Sequence, residues 1–232
     1  MAIARQTEPT SSVAWKVLDG SDVDAVYDLH VAAVGRVGRP DLIRPESHGF
    51  FESILAGGGR ILGVSDAEGL LAYGVLQWDL PPVENLRPLF DLPADAPFAK
   101  LAGAAVRPGA WGRGLQESVI AERMRLAAAD GLTHLYATSA PGNWRSWTNL
   151  LNQGFHVRAL IEQYGGALRY ILYRDLEYGD LEAPAPAAED AGEWCGADAI
   201  HAQQRYLDGG FVGSAWRRSG DGSHQIFYRG PV

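Results

Sequence analysis

The segment from Arg107 to Gln116, RPGAWGRGLQ, has the residue types of an anion-binding loop. It follows a run of small and apolar residues, contains three glycines, and leads directly into a helical pattern. Glycine permits backbone conformations that are barred to other residues and lets a ligand approach the amides closely. The start of a helix offers unpaired N–H groups and the positive end of the dipole, and Arg113 adds a cation. The segment predicts either a phosphate site or a tight strand-to-helix turn.

Two common phosphate-binding motifs do not fit this loop. The P-loop requires Lys and Ser or Thr after its second glycine, whereas Leu115-Gln116 follows Gly114 here. The dinucleotide motif G-x-G-x-x-G requires a third glycine, and Glu117 stands at that position after Gly112 and Gly114. The sequence therefore argues against binding of a nucleoside triphosphate or NAD.

A second segment, LYATSAPGNWRSWTNLLNQGF, combines a strand pattern with Asn143 entering a helix and Gly154-Phe155 eleven residues later. Together the two segments resemble the GCN5-related N-acetyltransferase (GNAT) family. In that family a strand is followed by [QR]-x-x-G-x-[GA] opening a helix, and a second motif runs N-x-x-[AS]…Y-x-x-x-G-F. The resemblance covers approximately residues 13–176.

The resemblance implies that the glycine loop holds the pyrophosphate of acetyl-CoA. The preceding strand would pair with the pantetheine arm, and the start of the second helix would contact the cofactor near the sheet opening. No metal is implied. The residues that match these cofactor-binding positions are Ala105, Val106, Trp111, Gly112, Arg113, Gly114, Leu115, Gln116, Asn143 and Ser146.

The sequence departs from the family pattern at several positions. Trp111 replaces the usual Gln or Arg, and Gln116 replaces a small residue. The form W-G-x-G resembles the ribosomal-protein alanine acetyltransferase branch, which commonly has a serine at the position of Ser146. Leu150 replaces the tyrosine often proposed to protonate the leaving thiolate. Ser146 is the nearest hydroxyl, so it is a candidate catalytic acid or an ordinary helix serine; Tyr206 could instead supply a tyrosine from the C-terminal segment.

The expected reaction also needs a base that removes a proton from the ammonium group of the acceptor. The strand KLAGAAV contains no Asp or Glu, so the carboxylate common there in the family is missing. Asp79, at the end of the strand LLAYGVLQWDL, is the first candidate for a catalytic base. Glu162 and His156 are further candidates, and each of the three could instead be an ordinary surface residue.

The resemblance implies an N-acetyltransferase that moves an acetyl group from acetyl-CoA to a primary amine, by direct attack in a ternary complex. The acceptor would be a small molecule or a protein N-terminus. The alternative is a noncatalytic acyl-CoA-binding module, which Leu150 and the missing strand carboxylate favour. A group of basic residues lies near the expected acceptor site in sequence. It could bind an acidic group of the substrate, or it could be an ordinary solvated helix end. The residues are His30, Arg36, Arg39, Arg44 and His48.

The elements that must position these residues follow from hydrophobic periodicity. One strand–helix–strand unit at 100–140 is flanked by strands joined through hairpins. This predicts an α/β mixed sheet of about seven strands, with a central parallel pair and helices on both faces. Residues 80–98 are rich in proline and predict a long loop.

The composition of the sequence changes after residue 176. Residues 1–176 are predicted to form the GNAT-like domain, and 177–193 an Ala/Pro/acidic linker. Residues 194–232 predict a helix and two strands. Gly210-Phe211 matches Gly154-Phe155, so this appendage is either a partial repeat of 143–176 or an ordinary helix and hairpin.

Composition limits the remaining function classes. The 232 residues are 47% hydrophobic and carry a formal net charge of −8, which argues against a general nucleic-acid or anionic-membrane binder. The single cysteine, Cys195, excludes an internal disulfide and a multi-cysteine metal site. No signal peptide or membrane span is expected, so a soluble cytoplasmic protein is predicted. A homodimer formed through the C-terminal extension is a further prediction.

Overall fold

The structure, a computed structural model, describes residues 15–177 and 192–230. Within these ranges ten strands form one sheet. The strands are β1 (Lys16–Val17), β2 (Gly59–Asp66), β3 (Gly69–Gln77), β4 (Phe98–Val106), β5 (His134–Ser139), β6 (His156–Gln163), β7 (Ala167–Asp175), β8 (Gly192–Gly196), β9 (Val212–Arg218) and β10 (His224–Arg229). The α-helices are α1 (Val23–Val37), α2 (His48–Ser53), α3 (Leu115–Ala129), α4 (Trp144–Asn152) and α5 (Ile200–Asp208).

The sheet has the order β1-β2-β3-β4-β5-β7-β6-β9-β10-β8. Its described strand pairs are antiparallel except β4 and β5, which pair in parallel from Phe98 to Lys100 and then separate. Helices cover both faces, since Tyr73 of β3 contacts His30 of α1 while the adjacent Gly74 lies against Arg123 of α3. The predicted α/β class is confirmed. The strand count is ten rather than about seven, because the C-terminal segment joins the same sheet.

The strand–helix–strand unit predicted at 100–140 corresponds to β4, α3 and β5. The loop at 80–98 contains two 3-10 turns, Pro82–Glu84 and Arg87–Phe90. It packs on the sheet through Phe90, whose ring centroid lies 4.3 Å from that of Tyr173.

None of the helices in 15–177 and 192–230 combines the length and apolar character needed to cross a membrane.

The C-terminal segment continues the sheet beyond β6. The order β8-α5-β9-β10 parallels the order β5-α4-β6-β7, and in each set the last strand lies between the other two. Val157 of β6 stands opposite Gly213 of β9, where an added Cβ would lie 2.9 Å from the Val157 Cβ. The absence of a side chain at Gly213 therefore allows β9 to pair with β6. Most of the predicted linker, residues 178–191, lies outside the described ranges, and the proposed boundary at 176 remains a prediction.

Gln203 joins α5 to the sheet through a buried network of hydrogen bonds. It is fully buried, and its Oε1 accepts from the hydroxyls of Tyr170 at 2.6 Å and Tyr228 at 2.7 Å. Its Nε2 donates to the carbonyls of Gly196 and Ala197. All the hydrogen-bonding capacity of the amide is thus used at the contact between the C-terminal segment and β7.

We expect Gln203→Leu to lower the free energy of unfolding by about 2–4 kcal/mol, because two buried hydroxyls and two carbonyls each lose a hydrogen bond to the amide. Urea unfolding measures the change. The matched control is Gln204→Leu, since Gln204 bonds only to Asp208 in an exposed pair. Equal stability of the two variants would show that the network contributes nothing.

Candidate active site

A cavity of about 620 Å³ opens where β4 and β5 separate. Its walls include Leu101–Val106 of β4, the end of β5 from Ala137, the starts of α3 and α4, and part of α1. Parallel strands that separate leave backbone groups without a ladder partner along the opening. The fold therefore places an accessible strand edge and two helix N-termini in one cavity.

The glycine loop forms one side of the cavity. Gly112 and Gly114 have φ of 81° and 73°, in the left-handed region that favours glycine. No side chain caps α3, and its first helical bond runs from the Ser118 N–H to the Gly114 carbonyl at 3.1 Å. The amides of residues 115–117 precede that bond, so they are free for a ligand. Trp111 is 47% exposed, and its Nε1 donates to the Val106 carbonyl at 2.8 Å.

The N-terminus of α4 lines the same cavity. Asn143 precedes the helix and forms no side-chain capping bond. Ser146 is half-buried and lines the cavity, as does the buried Leu150. Because both α3 and α4 begin here without capping side chains, the cavity receives the positive ends of two helix dipoles. This arrangement suits an anionic ligand with several phosphate groups.

Comparisons with solved structures decide the fold. The ribosomal-protein-S18-alanine N-acetyltransferase from Escherichia coli matches over 70% of this chain and 92% of its own, with 15% identity and a TM-score of 0.50. A ribosomal-protein-alanine N-acetyltransferase from Brucella melitensis matches over 71% and 100%, with 18% identity and a TM-score of 0.52. A protein from Salmonella typhimurium solved with its cofactor acetyl-CoA matches over 72% and 95%, with 17% identity and a TM-score of 0.54. No protein-family model and no curated protein matches the sequence.

This chain has the GNAT fold. Within that fold, nine of the ten predicted cofactor-binding residues line the cavity. The exception is Arg113, which is exposed and does not line the cavity. The nine are Ala105, Val106, Trp111, Gly112, Gly114, Leu115, Gln116, Asn143 and Ser146.

The predicted bases lie elsewhere. Asp79 is exposed and lines a second cavity of about 350 Å³, which shares Arg44, Glu46 and Lys100 with the large one. Glu162 and His156 line neither cavity. Burial, together with Arg229 and two further arginines, lowers the pKa of His156 to about 4.

Of the other residues named from the sequence, some line the large cavity and some do not. Tyr206 bonds to Glu193 and stacks on Tyr228, and it lines neither cavity. Of the five basic residues near the acceptor side, His30 and Arg44 line the large cavity. Arg39 pairs with Asp41. Within the described ranges no cluster of His, Cys, Asp and Glu is arranged to hold a metal ion.

Glu46 is the carboxylate that the sequence did not identify. It lines both cavities, and an added Cβ on Gly103 would lie 3.8 Å from its Cγ. Its side chain therefore lies over the part of β4 that has separated from β5. Burial raises the pKa of Glu46 above its usual range, while Arg44 and Lys100 oppose that shift. A carboxylate with a raised pKa at a strand opening suits a general base.

Two side chains from other elements hold Glu46 in place. Its backbone N–H donates to Nε2 of His30 at 2.8 Å, and Nδ1 of His30 lies 2.8 Å from the Tyr73 hydroxyl. Because Nε2 accepts, the proton of the neutral ring is on Nδ1 and donates to Tyr73. Burial lowers the pKa of His30, which favours this neutral form. The position of Glu46 thus depends on α1 and β3.

Tyr164 is the second residue that the sequence did not identify. It lies in the β6–β7 turn with φ of 55°, an uncommon value for a bulky residue. Its hydroxyl lies 3.0 Å from Nζ of Lys100 and 3.0 Å from Oγ1 of Thr138. Lys100 ends the parallel pairing with β5, so this hydroxyl stands where the two strands begin to separate. The hairpin between these strands was expected from the sequence, but nothing in the sequence indicated this contact.

Proposed function

We propose that this protein is an acetyl-CoA-dependent N-acetyltransferase that acts on a primary amine. The observation that carries the proposal is the meeting of two uncapped helix N-termini and a half-buried carboxylate, Glu46, in one cavity at the strand opening. The GNAT fold of this chain supports it. The Escherichia coli neighbour is named for an alanine of ribosomal protein S18, but its 15% identity carries no substrate over to this chain.

The residues present fit acetyl-CoA. A Cβ added at Gly112 or Gly114 would meet no atom within 4 Å, so the loop has open space beside it, and the amides at the start of α3 are free. The pyrophosphate would bind these amides and the dipole of α3. Asn143 and Ser146 line the side along which the pantetheine arm would extend, next to the open edge of β4. Acetyl-CoA would supply the acetyl group as an activated thioester.

Glu46 is the proposed general base. It removes a proton from the acceptor ammonium group, and the neutral amine then attacks the thioester carbonyl. The carbon–nitrogen bond forms and the carbon–sulfur bond breaks; the nitrogen loses its second proton to water, and the thiolate takes one from an acid. The free amides along β4 would donate to the developing oxyanion. The cavity contributes by holding both reactants in register.

Two hydroxyls are candidates to protonate the leaving thiolate. Ser146 is the residue predicted from the sequence, and Tyr164 is the one placed at the strand opening. Comparison of Ser146→Ala with Tyr164→Phe separates them: the variant that removes the donor lowers kcat and leaves the affinity for coenzyme A unchanged. A variant that only weakens cofactor binding is not the acid.

The proposal is tested by thiol release from acetyl-CoA over a panel of primary amines, with coenzyme A binding measured in parallel. We expect binding of coenzyme A and turnover with at least one amine. Tight binding without turnover on any amine would favour the alternative, a noncatalytic acyl-CoA-binding module. A chain that does not bind coenzyme A would overturn both.

The loop provides a separate prediction. Gly114→Ala forces an alanine into a left-handed conformation, at a cost of about 1–2 kcal/mol. Because the amides must keep that geometry to bind phosphate, we expect coenzyme A binding about 5- to 30-fold weaker. Gly109→Ala is the matched control, since Gly109 has open space and does not have positive φ. Equal affinities in calorimetric titration would contradict a role for the loop geometry.

A further inference from the structure

Arg169 on β7 is a buried cation without a carboxylate partner. It is 6% exposed and lines the large cavity. Its Nη1 donates to the carbonyl of Leu168 at 2.9 Å, and the described residues provide no ion pair for it. A guanidinium group has five N–H donors, so most of them remain available. Burial lowers the pKa of Arg169, while Tyr164 and Asp41 oppose the shift.

The cations around Tyr164 show that Arg169 differs from its neighbours. Measured to the Tyr164 ring centroid, Arg44 lies at 4.5 Å, Lys100 at 5.2 Å and Arg169 at 6.0 Å. Glu84 forms ion pairs with the first two, with distances of 3.3 Å to Arg44 and 2.5 Å to Lys100. All three cations line the large cavity. Arg44 and Lys100 have a carboxylate partner within the protein, whereas Arg169 has none among the described residues.

The Asp41 carboxylate is not a substitute partner for Arg169. Its two oxygens bond to Arg39, at 2.9 Å to Nε and 2.7 Å to Nη2. Asp41 is exposed, so water also weakens its field at Arg169. A buried guanidinium without a counter-charge costs free energy unless an anion from outside the protein pairs with it.

Arg169 is also placed away from the phosphate end of the cavity. The adjacent residue, Tyr170, packs on Trp147 of α4 with ring centroids 6.2 Å apart. Successive side chains of a strand point to opposite faces, so Arg169 points away from α4. The start of α4 and the glycine loop would hold the cofactor, whereas Arg169 shares its side of the cavity with Tyr164 and Arg44.

We propose that the acceptor is an amine that also carries a carboxylate, and that Arg169 binds this carboxylate. The inference rests on the proposed function and names its substrate class. The planar guanidinium matches a carboxylate with two parallel hydrogen bonds. An amino acid or a related amino carboxylate then presents its amine within the cavity that Glu46 lines, while its carboxylate completes the charge of Arg169. Simple alkylamines lack the second contact.

The test compares amino carboxylates with their carboxamides and with the corresponding decarboxylated amines. For the wild-type protein we expect kcat/KM to be about 100-fold higher for the carboxylates, since a charged hydrogen-bonded pair is lost in the other compounds. Arg169→Met should remove that preference without changing the dissociation constant of coenzyme A. Arg169→Lys should retain part of the preference for carboxylates, because lysine keeps the positive charge but lacks the planar set of donors that binds both carboxylate oxygens.

Arg158→Met is the matched control, since Arg158 is exposed on β6 and lines neither cavity. Equal wild-type turnover of carboxylates and carboxamides would overturn the proposal, as would an equal loss for every acceptor in Arg169→Met. Aminoalkyl phosphonates form a further arm, and preference for them over carboxylates would also overturn it.

Calorimetric titration of the coenzyme A complex with the same amino carboxylates separates this inference from the proposed function. Without turnover on any amine, binding of carboxylates that is lost in Arg169→Met still supports the anion site and contradicts only the catalytic role. If carboxylates neither bind nor react, the inference is wrong even where other amines are acetylated.

Discussion

Replacement of Glu46 by glutamine is expected to lower kcat/KM for the acceptor amine by about 10²–10⁴-fold, the range for loss of a general base. Glutamine keeps the shape and the backbone contact to His30 but cannot take a proton. Coenzyme A affinity should stay unchanged, because Glu46 lies over β4 rather than on the glycine loop. Steady-state kinetics and calorimetric titration measure the two quantities.

The pH profile gives a second, independent readout of Glu46. The base is active when deprotonated, so activity falls as the pH drops through its pKa. Burial raises that pKa, which places the acidic limb of kcat/KM above the usual range for glutamate. Glu46→Gln should remove this limb.

Asp79→Asn is the control that can reverse the assignment of the base. Asp79 lines only the smaller cavity, and we expect its variant to stay within about threefold of the wild-type kcat/KM, as a residue outside the transition state would. If Asp79→Asn loses activity and Glu46→Gln keeps it, Asp79 is the base, as the sequence first indicated.

Removal of the chain beyond residue 176 is expected to abolish cooperative folding. Phe155 and Val157 are fully buried, and they belong to one core cluster with Ile226 and Tyr228 of β10. Each fully buried apolar side chain contributes about 1.5–3 kcal/mol when it is removed from water. Loss of several such contacts is comparable with the whole usual stability of a domain, about 5–15 kcal/mol. Thermal and urea unfolding of the truncated chain measure the effect.

A truncated chain that unfolds cooperatively with an unchanged midpoint would show instead that residues up to 176 fold alone. Gly213→Ala tests the same contact with the chain intact, because the new Cβ would meet both Val157 and Ile226 at 2.9 Å. We expect it to be destabilised by about 1–3 kcal/mol, as overpacked positions are. Gly220→Ala, which meets nothing within 4 Å, is the matched control.

Features with a local cause could be predicted from the sequence. The glycine loop, the start of α3 and the hairpin of β6 and β7 depend on residues that are close in the chain. For that reason nine of the ten residues predicted to bind the cofactor line one cavity. Arg113 does not, because the direction of a side chain depends on the turn geometry around it.

Features assembled from distant residues could not be predicted. Glu46 reaches β4 only because His30 bonds both to it and to Tyr73, a contact between residues 43 positions apart in the chain. Likewise, β8 contains Gly192 and Gly196, which hide its strand character, and an added Cβ on Gly192 would meet the Tyr228 carbonyl at 2.3 Å. Periodicity shows which face of an element is buried, but not which loop covers it.

The contact between β6 and β9 also has a consequence for synthesis of the chain. A strand at the edge of a sheet exposes unpaired N–H and C=O groups that can pair with another molecule. When β6 and β7 leave the ribosome, β9 and β10 have yet to be made. At roughly 5–20 residues per second, β6 keeps a bare edge for several seconds. The nascent protein therefore passes through an interval in which aggregation competes with completion of its own sheet.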